Sequence, residues 1–253
     1  MADTRPRTDG AAASAGGADP DSSGEPWSSV RLHVVSGKGG TGKTTIAAAL
    51  AVALATDGRK VLLCEVEGRQ GIAQVFDTPP LPYGERRIAA APGGGEVHAL
   101  AIDPEAAMLE YLELFYNIKR GGFALKRIGA VDFATTIAPG LRDVLLTGKI
   151  GESVRRRDGR QFRYDAIVVD APPTGRIARF LTATSEVSDL ARVGPIKNQA
   201  DLVMRVFRSD ETAVHLVTLL EEMPVQETLD GMAELAARDL PMGGIIVNMS
   251  RPQ

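Results

Sequence analysis

The run Gly37-Lys38-Gly39-Gly40-Thr41-Gly42-Lys43-Thr44-Thr45 holds the residue types that wrap a polyphosphate. It satisfies the pattern G-x-x-x-x-G-K-[ST] and lies between a short apolar run and an Ala/Leu/Ile/Val segment of helical length. Glycines let the backbone curl so that successive N–H groups face phosphate oxygens at the positive end of a helix. Lys43 brings a point charge to the β- and γ-phosphates, Thr44 offers its hydroxyl to Mg²⁺, and Thr45 reaches the α-phosphate. The chemistry expected is binding of ATP with Mg²⁺. A glycine-rich turn could match by accident, but the position between strand and helix argues against that.

Such a site needs an acid at the end of a neighbouring strand to hold the metal through water. Asp170 closes Tyr164-Asp165-Ala166-Ile167-Val168-Val169-Asp170, an apolar strand ending in a carboxylate, so Thr44 and Asp170 are the expected metal residues.

Lys38 adds a further signal, because a lysine after the first glycine is not needed to cradle phosphates within one chain. Here the sequence resembles the deviant Walker A group of P-loop ATPases, which includes partition, septum-placement, nitrogenase-iron and arsenite-pump proteins. The resemblance implies that Lys38 crosses a dimer interface to the partner's nucleotide, as an arginine finger does. A solvated surface lysine is the alternative. Asp170-Ala171-Pro172-Pro173-Thr174-Gly175-Arg176-Ile177 resembles switch II of the subfamily of arsenite-pump and tail-anchored-protein-targeting ATPases, whose pattern is D-T-A-P-T-G-H-T. Arg176 replaces the histidine and Ile177 the second threonine. After the second strand that subfamily carries D-P-A-H, with an aspartate that orients the attacking water. This chain has Glu67-Gly68-Arg69-Gln70 instead, so Glu67 takes the aspartate's position, with Gln70 as a weaker candidate for orienting water. A loop acid without that role remains the alternative for Glu67. Ile245-Ile246-Val247-Asn248 is similar to the family's I-V-N, which implies that Asn248 recognises adenine; Asn as a strand terminator is the other reading.

The elements that must position these residues are strands alternating with helices. Apolar runs at Leu32–Ser36, Val61–Val66, Val97–Ile102, Ala166–Val169, Val214–Leu219 and Ile245–Val247 read as strands, and Thr44–Thr56 and Gln226–Asp239 as helices. Continuously apolar strands between helices indicate a mostly parallel sheet in a three-layer α/β/α fold. Residues 105–160 and 182–212 read as helical insertions, the first broken at Gly121-Gly122 and Pro139-Gly140. Met108, Leu109, Leu112, Leu114, Phe115 and Tyr116 make an apolar cluster whose ordinary reading is core. Residues 1–26 lack apolar periodicity and read as a disordered tail, leaving 27–253 as the ATPase domain.

The 253 residues carry a net charge of −3, which advertises neither nucleic acid nor an acidic membrane as partner. No apolar run approaches the roughly 20 residues that span a bilayer. The single cysteine, Cys64, excludes an internal disulfide and the C-x-x-C and multi-thiolate sites found in the family, and fits a cytoplasmic protein. Family members continue beyond the position of Asn248, so the chain reads as C-terminally truncated. The function expected is that of a Mg-ATPase switching a homodimer or heterodimer between open and closed states to handle a protein client or membrane partner. The alternative is a non-catalytic subunit paired with a paralogous ATPase. A DNA- or membrane-bound partition ATPase is weaker, because no basic stripe or terminal amphipathic helix supports it.

Overall fold

The computed structural model describes residues 29–116, 139–190 and 195–251. The expected tail, the break at Gly121-Gly122 and the side chains of Leu112, Leu114, Phe115 and Tyr116 lie outside the described residues. Strands β1 (Leu32–Gly37), β2 (Lys60–Glu65), β3 (Arg86–Ala91), β4 (Gly95–Ala101), β7 (Ala166–Asp170), β8 (Thr212–Thr218) and β9 (Met242–Val247) form one sheet. Their order is β3-β4-β2-β7-β1-β8-β9, parallel throughout except for the antiparallel β3–β4 pair. A separate small hairpin joins β5 (Arg157–Asp158) to β6 (Gln161–Phe162).

The strands are apolar on both faces because both are covered. Leu32, Val34, Leu62, Cys64, Ile167 and Val169 face one core; Val35, Val61, Leu63, Ala166 and Val168 face the other. The second core is capped by α1 (Lys43–Leu54), whose buried Ala47, Ala48 and Ala51 let the helix lie close to the sheet. The first is covered by α4 (Pro139–Arg155), α5 (Thr174–Leu190), α6 (Pro195–Phe207) and α7 (Glu222–Ala236). Val203, Met204 and Phe207 are buried there. Cys64 is fully buried, and burial pushes its thiol up to about 12, so it is an inert core residue. Helix α3 (Pro104–Tyr116) starts with proline in its first turn, where a missing N–H costs nothing.

Pro139-Gly140 opens α4, where proline suits the first helical turn. Past α4 the chain turns into the β5–β6 hairpin. Helix α4 is pinned by charge. Lys149 reaches Glu110 of α3 at 2.8 Å, and Arg156 just past its end meets Glu85 at 2.6 Å. Glu85 also accepts from Arg163 and Tyr164, at 2.9 and 2.8 Å.

His33 on β1 and His215 on β8 stack inside the sheet's cover, with Nδ1 of the first 3.0 Å from Nε2 of the second. Burial, joined for His33 by the neighbouring His215, lowers both from 6.5 to about 4. The unfolded chain therefore binds these protons more tightly, and stability present above about pH 6.5 is lost as pH falls toward 4. For one isolated group with this shift the loss is roughly 3 kcal/mol. Asp170, raised to about 6 by burial, acts in the opposite sense below about pH 6. The two histidines, joined by Glu85 and Glu110 whose pKa values are lowered, outweigh Asp170 and the likewise raised Asp143, so the urea midpoint of unfolding is expected to fall between pH 6.5 and 4.5, and His33→Gln to flatten that fall. A midpoint that rises on acidification contradicts this assignment.

Candidate phosphate-binding site

Parallel pairing brings three strand ends together at the carboxyl edge of the sheet, the usual position of ligands in open α/β folds. Val35 of β1 lies opposite Asp170 of β7, and Asp170 lies opposite Glu65 of β2. The chain leaves β1 at Gly37, curls through Lys38–Gly42, and enters α1 at Lys43. Glycine is required at two points of this curl. At Gly37 a Cβ would lie 2.2 Å from the Val217 carbonyl oxygen of β8. Gly42 has φ of 87°, and a Cβ there would lie 2.4 Å from Nδ2 of Asn248.

The loop is held from within. The Lys38 carbonyl accepts the Thr41 hydroxyl at 2.9 Å and the Lys43 ammonium at 3.3 Å. Burial lowers the Lys43 pKa, while the Asp170 and Glu67 carboxylates oppose that shift. Thr44 donates its hydroxyl to Oδ2 of Asp170 at 2.7 Å, so the two expected metal residues meet. They form a pair of hard oxygen donors of the kind Mg²⁺ takes beside phosphate oxygens. Asp170 is 9% exposed and its pKa rises from 3.8 to about 6, chiefly through burial, with the Thr44 hydrogen bond and Lys43 pulling it down. Gly39, Gly40 and Thr45 are exposed at the mouth of the loop, and Thr41 is buried. Asn248 donates from Nδ2 to the Thr41 carbonyl at 2.8 Å and accepts from the Met249 N–H, so it braces the loop from the end of β9. One N–H and one lone pair of its amide are left for other partners.

The segment that follows Asp170 is laced to the base of the loop. Ser36 donates to the Pro172 carbonyl at 2.6 Å, and the Ala171 N–H donates to Val35 at 3.0 Å. Helix α5 then begins at Thr174. Glu67 sits beside this segment in a cleft of about 330 Å³, lined also by Arg69, Arg142, Asp143, Pro172 and Arg176. Its nearest ionic partner is Arg69 at 3.7 Å, and Arg176 stands 3.7 Å from Asp143. Burial raises the Asp143 pKa while Arg176 and Arg142 oppose it.

Gln70 does not face the phosphate site: its amide is bonded to both backbone groups of Leu81, accepting at 2.7 Å and donating at 3.3 Å. Two further acids bear on the site. Buried Glu65 accepts from the N–H groups of Gln70 and Ile72 and so anchors the short helix α2 (Gly71–Val75) against Thr44. Glu227 of α7 forms an ion pair with Lys38 at 2.8 Å and accepts the Thr174 hydroxyl at 3.3 Å. Nothing local marks Glu227, because its neighbours here are about 190 and 53 residues away in the chain.

Residues 30–210 match the model of the anion-transporting ATPase family. The chain belongs to that family. It is 66% identical over 226 residues to the ATPase BagA of Mycobacterium tuberculosis, a match covering 89% of this chain and 66% of that protein. The match therefore spans just under two thirds of that relative's length. It is 28% identical over 255 residues to the ATPase GET3 of Kluyveromyces lactis, covering 86% and 71% of the two chains. The mostly parallel sheet and flanking helices are the α/β architecture expected of this ATPase family. Among the described residues no helix is long and apolar enough to cross a membrane.

The loop geometry predicts that Gly42→Ala loses at least about 1 kcal/mol of stability, from the left-handed φ and the clash together. Adding Asn248→Ala removes the clash but not the strain, so urea denaturation is expected to show partial recovery.

Proposed function

We propose that the chain binds ATP with Mg²⁺ and hydrolyses it in a site completed by a second ATPase chain, using the cycle to handle a protein client. The observation that carries this reading is the convergence of Lys43, Thr44 and Asp170 at the ends of β1 and β7, in a chain of an ATPase family. In this scheme Gly37, Gly39, Gly40, Thr41, Gly42 and Thr45 line the phosphates. Lys43 exchanges the Lys38 carbonyl for β- and γ-phosphate oxygens, and Asn248 offers its remaining amide groups to adenine. Thr44 and Asp170 hold Mg²⁺, which when bound neutralises charge on the phosphates. Water attacks the γ-phosphorus, the bond to the β-phosphate oxygen breaks, and ADP leaves with inorganic phosphate. Glu67 orients that water and takes its proton, and Lys38 stabilises the charge on the nucleotide of the facing chain.

A second reading is a nucleotide-binding subunit that depends on a paralogue for hydrolysis. The departure of Glu67-Gly68-Arg69-Gln70 from the family's D-P-A-H pattern at the water-orienting position favours it.

Lys43→Ala is expected to abolish binding of a fluorescent ATP analogue, and Lys38→Ala to leave binding within about twofold while phosphate release falls at least tenfold. Normal phosphate release by Lys38→Ala contradicts action across an interface. Glu67→Gln separates the two readings: trapped, unhydrolysed ATP supports the first, and unchanged turnover of the assembled complex supports the second.

A further inference from the structure

We propose that Glu227 is a positioning residue for Lys38, parking this lysine on its own chain and linking the parked state to the start of switch II. The inference rests on the reading of Lys38 as a clamp that acts across a dimer interface.

Each oxygen of the Glu227 carboxylate has its own partner. Oε1 lies 2.8 Å from the Lys38 ammonium, and Oε2 accepts the hydroxyl of Thr174 at 3.3 Å. Thr174 is 1% exposed and is the first residue of α5, directly after Pro172-Pro173. The contact is supported by packing one turn along α7. Gly231 lies on the same helix face as Glu227, and a Cβ there would stand 3.3 Å from Cγ2 of Thr174. A side chain at 231 would need Thr174 or α7 to give by a few tenths of an ångström. The face of α7 carrying Glu227 and Gly231 thus fits the start of switch II, and from that seat Glu227 reaches the loop lysine.

The strength of the contact suits a latch. The two side chains are 29% and 35% exposed, and ion pairs at such exposure bias an equilibrium only about two- to fivefold. The bias is real but small beside the attraction of a polyphosphate for the same ammonium. Any displacement of Thr174 when switch II responds to nucleotide moves the acceptor that holds Lys38. The loop lysine is then released toward a facing chain when its own site is occupied. A plain surface ion pair with no such link is the competing account.

Glu227→Gln keeps an acceptor for Thr174 and removes the charge that holds Lys38. The test is self-association of the full chain with Mg²⁺ and a non-hydrolysable ATP analogue, followed by sedimentation velocity, with thermal unfolding as the check on folding. Glu227→Gln is expected to tighten association about two- to fivefold and to change nothing in a Lys38→Ala background. Unchanged or weaker association of Glu227→Gln, with Lys38→Ala still impaired, overturns the latch and leaves the trans clamp standing. If Lys38→Ala associates as well as the parent chain, the clamp reading fails and the latch fails with it; if the parent does not self-associate with nucleotide, Lys38 does not clamp a second copy of this chain and the latch between copies fails.

Discussion

The parallel pairing of β1 with β7, which sets Val35 opposite Asp170, is the constraint on which the site depends. It places the metal-type carboxylate within 2.7 Å of the Thr44 hydroxyl at the first turn of α1. Everything else follows from holding that distance. Ser36 and Ala171 tie the two strand ends together, Gly37 lets the loop pass the β8 carbonyl, and Asn248 braces the far side of the loop from β9. Glu65, buried next to Asp170 in the sheet register, spends its charge on the N–H groups of α2. The acids at the two strand ends therefore do not compete for one partner: one is bound to backbone, the other is left for Thr44 and a cation.

The electrostatics of the loop set two buried charges of opposite sign beside each other. Burial lowers Lys43 and raises Asp170, so it opposes both charges. Their strain is moderated by mutual attraction and by the Lys38 carbonyl, which lends Lys43 a weak substitute for phosphate at 3.3 Å. A polyphosphate carrying a divalent cation would satisfy both groups at once. Stability and ligand affinity are thereby set against each other at the same residues, as is common where function demands buried charge.

The continuous apolar strands, the glycine-lysine loop and Asp170 were legible in the sequence because each leaves a local mark: unbroken burial, a fixed spacing, a charge closing an apolar run. What escaped left no apolar run or fixed spacing to mark it. β3, Arg86-Arg87-Ile88-Ala89-Ala90-Ala91, is a half-exposed antiparallel edge strand, so it lacks the apolar run that marked the others. The β5–β6 hairpin is two residues per strand and lies at the surface, too short for any period to show. Glu227 looked like one more acid on an amphipathic helix, and only the approach of α7 through Gly231 brings it to Thr174 and Lys38. Gln70 drew attention by lying next to Glu67, yet the fold turns its amide toward Leu81.

If two chains build one hydrolytic site from this loop, Mg-ATP turnover per chain, measured across a wide range of protein concentration, rises with concentration and saturates as the second chain is supplied. Turnover per chain that is constant down to the most dilute protein would contradict it, because a site complete within one chain needs no partner.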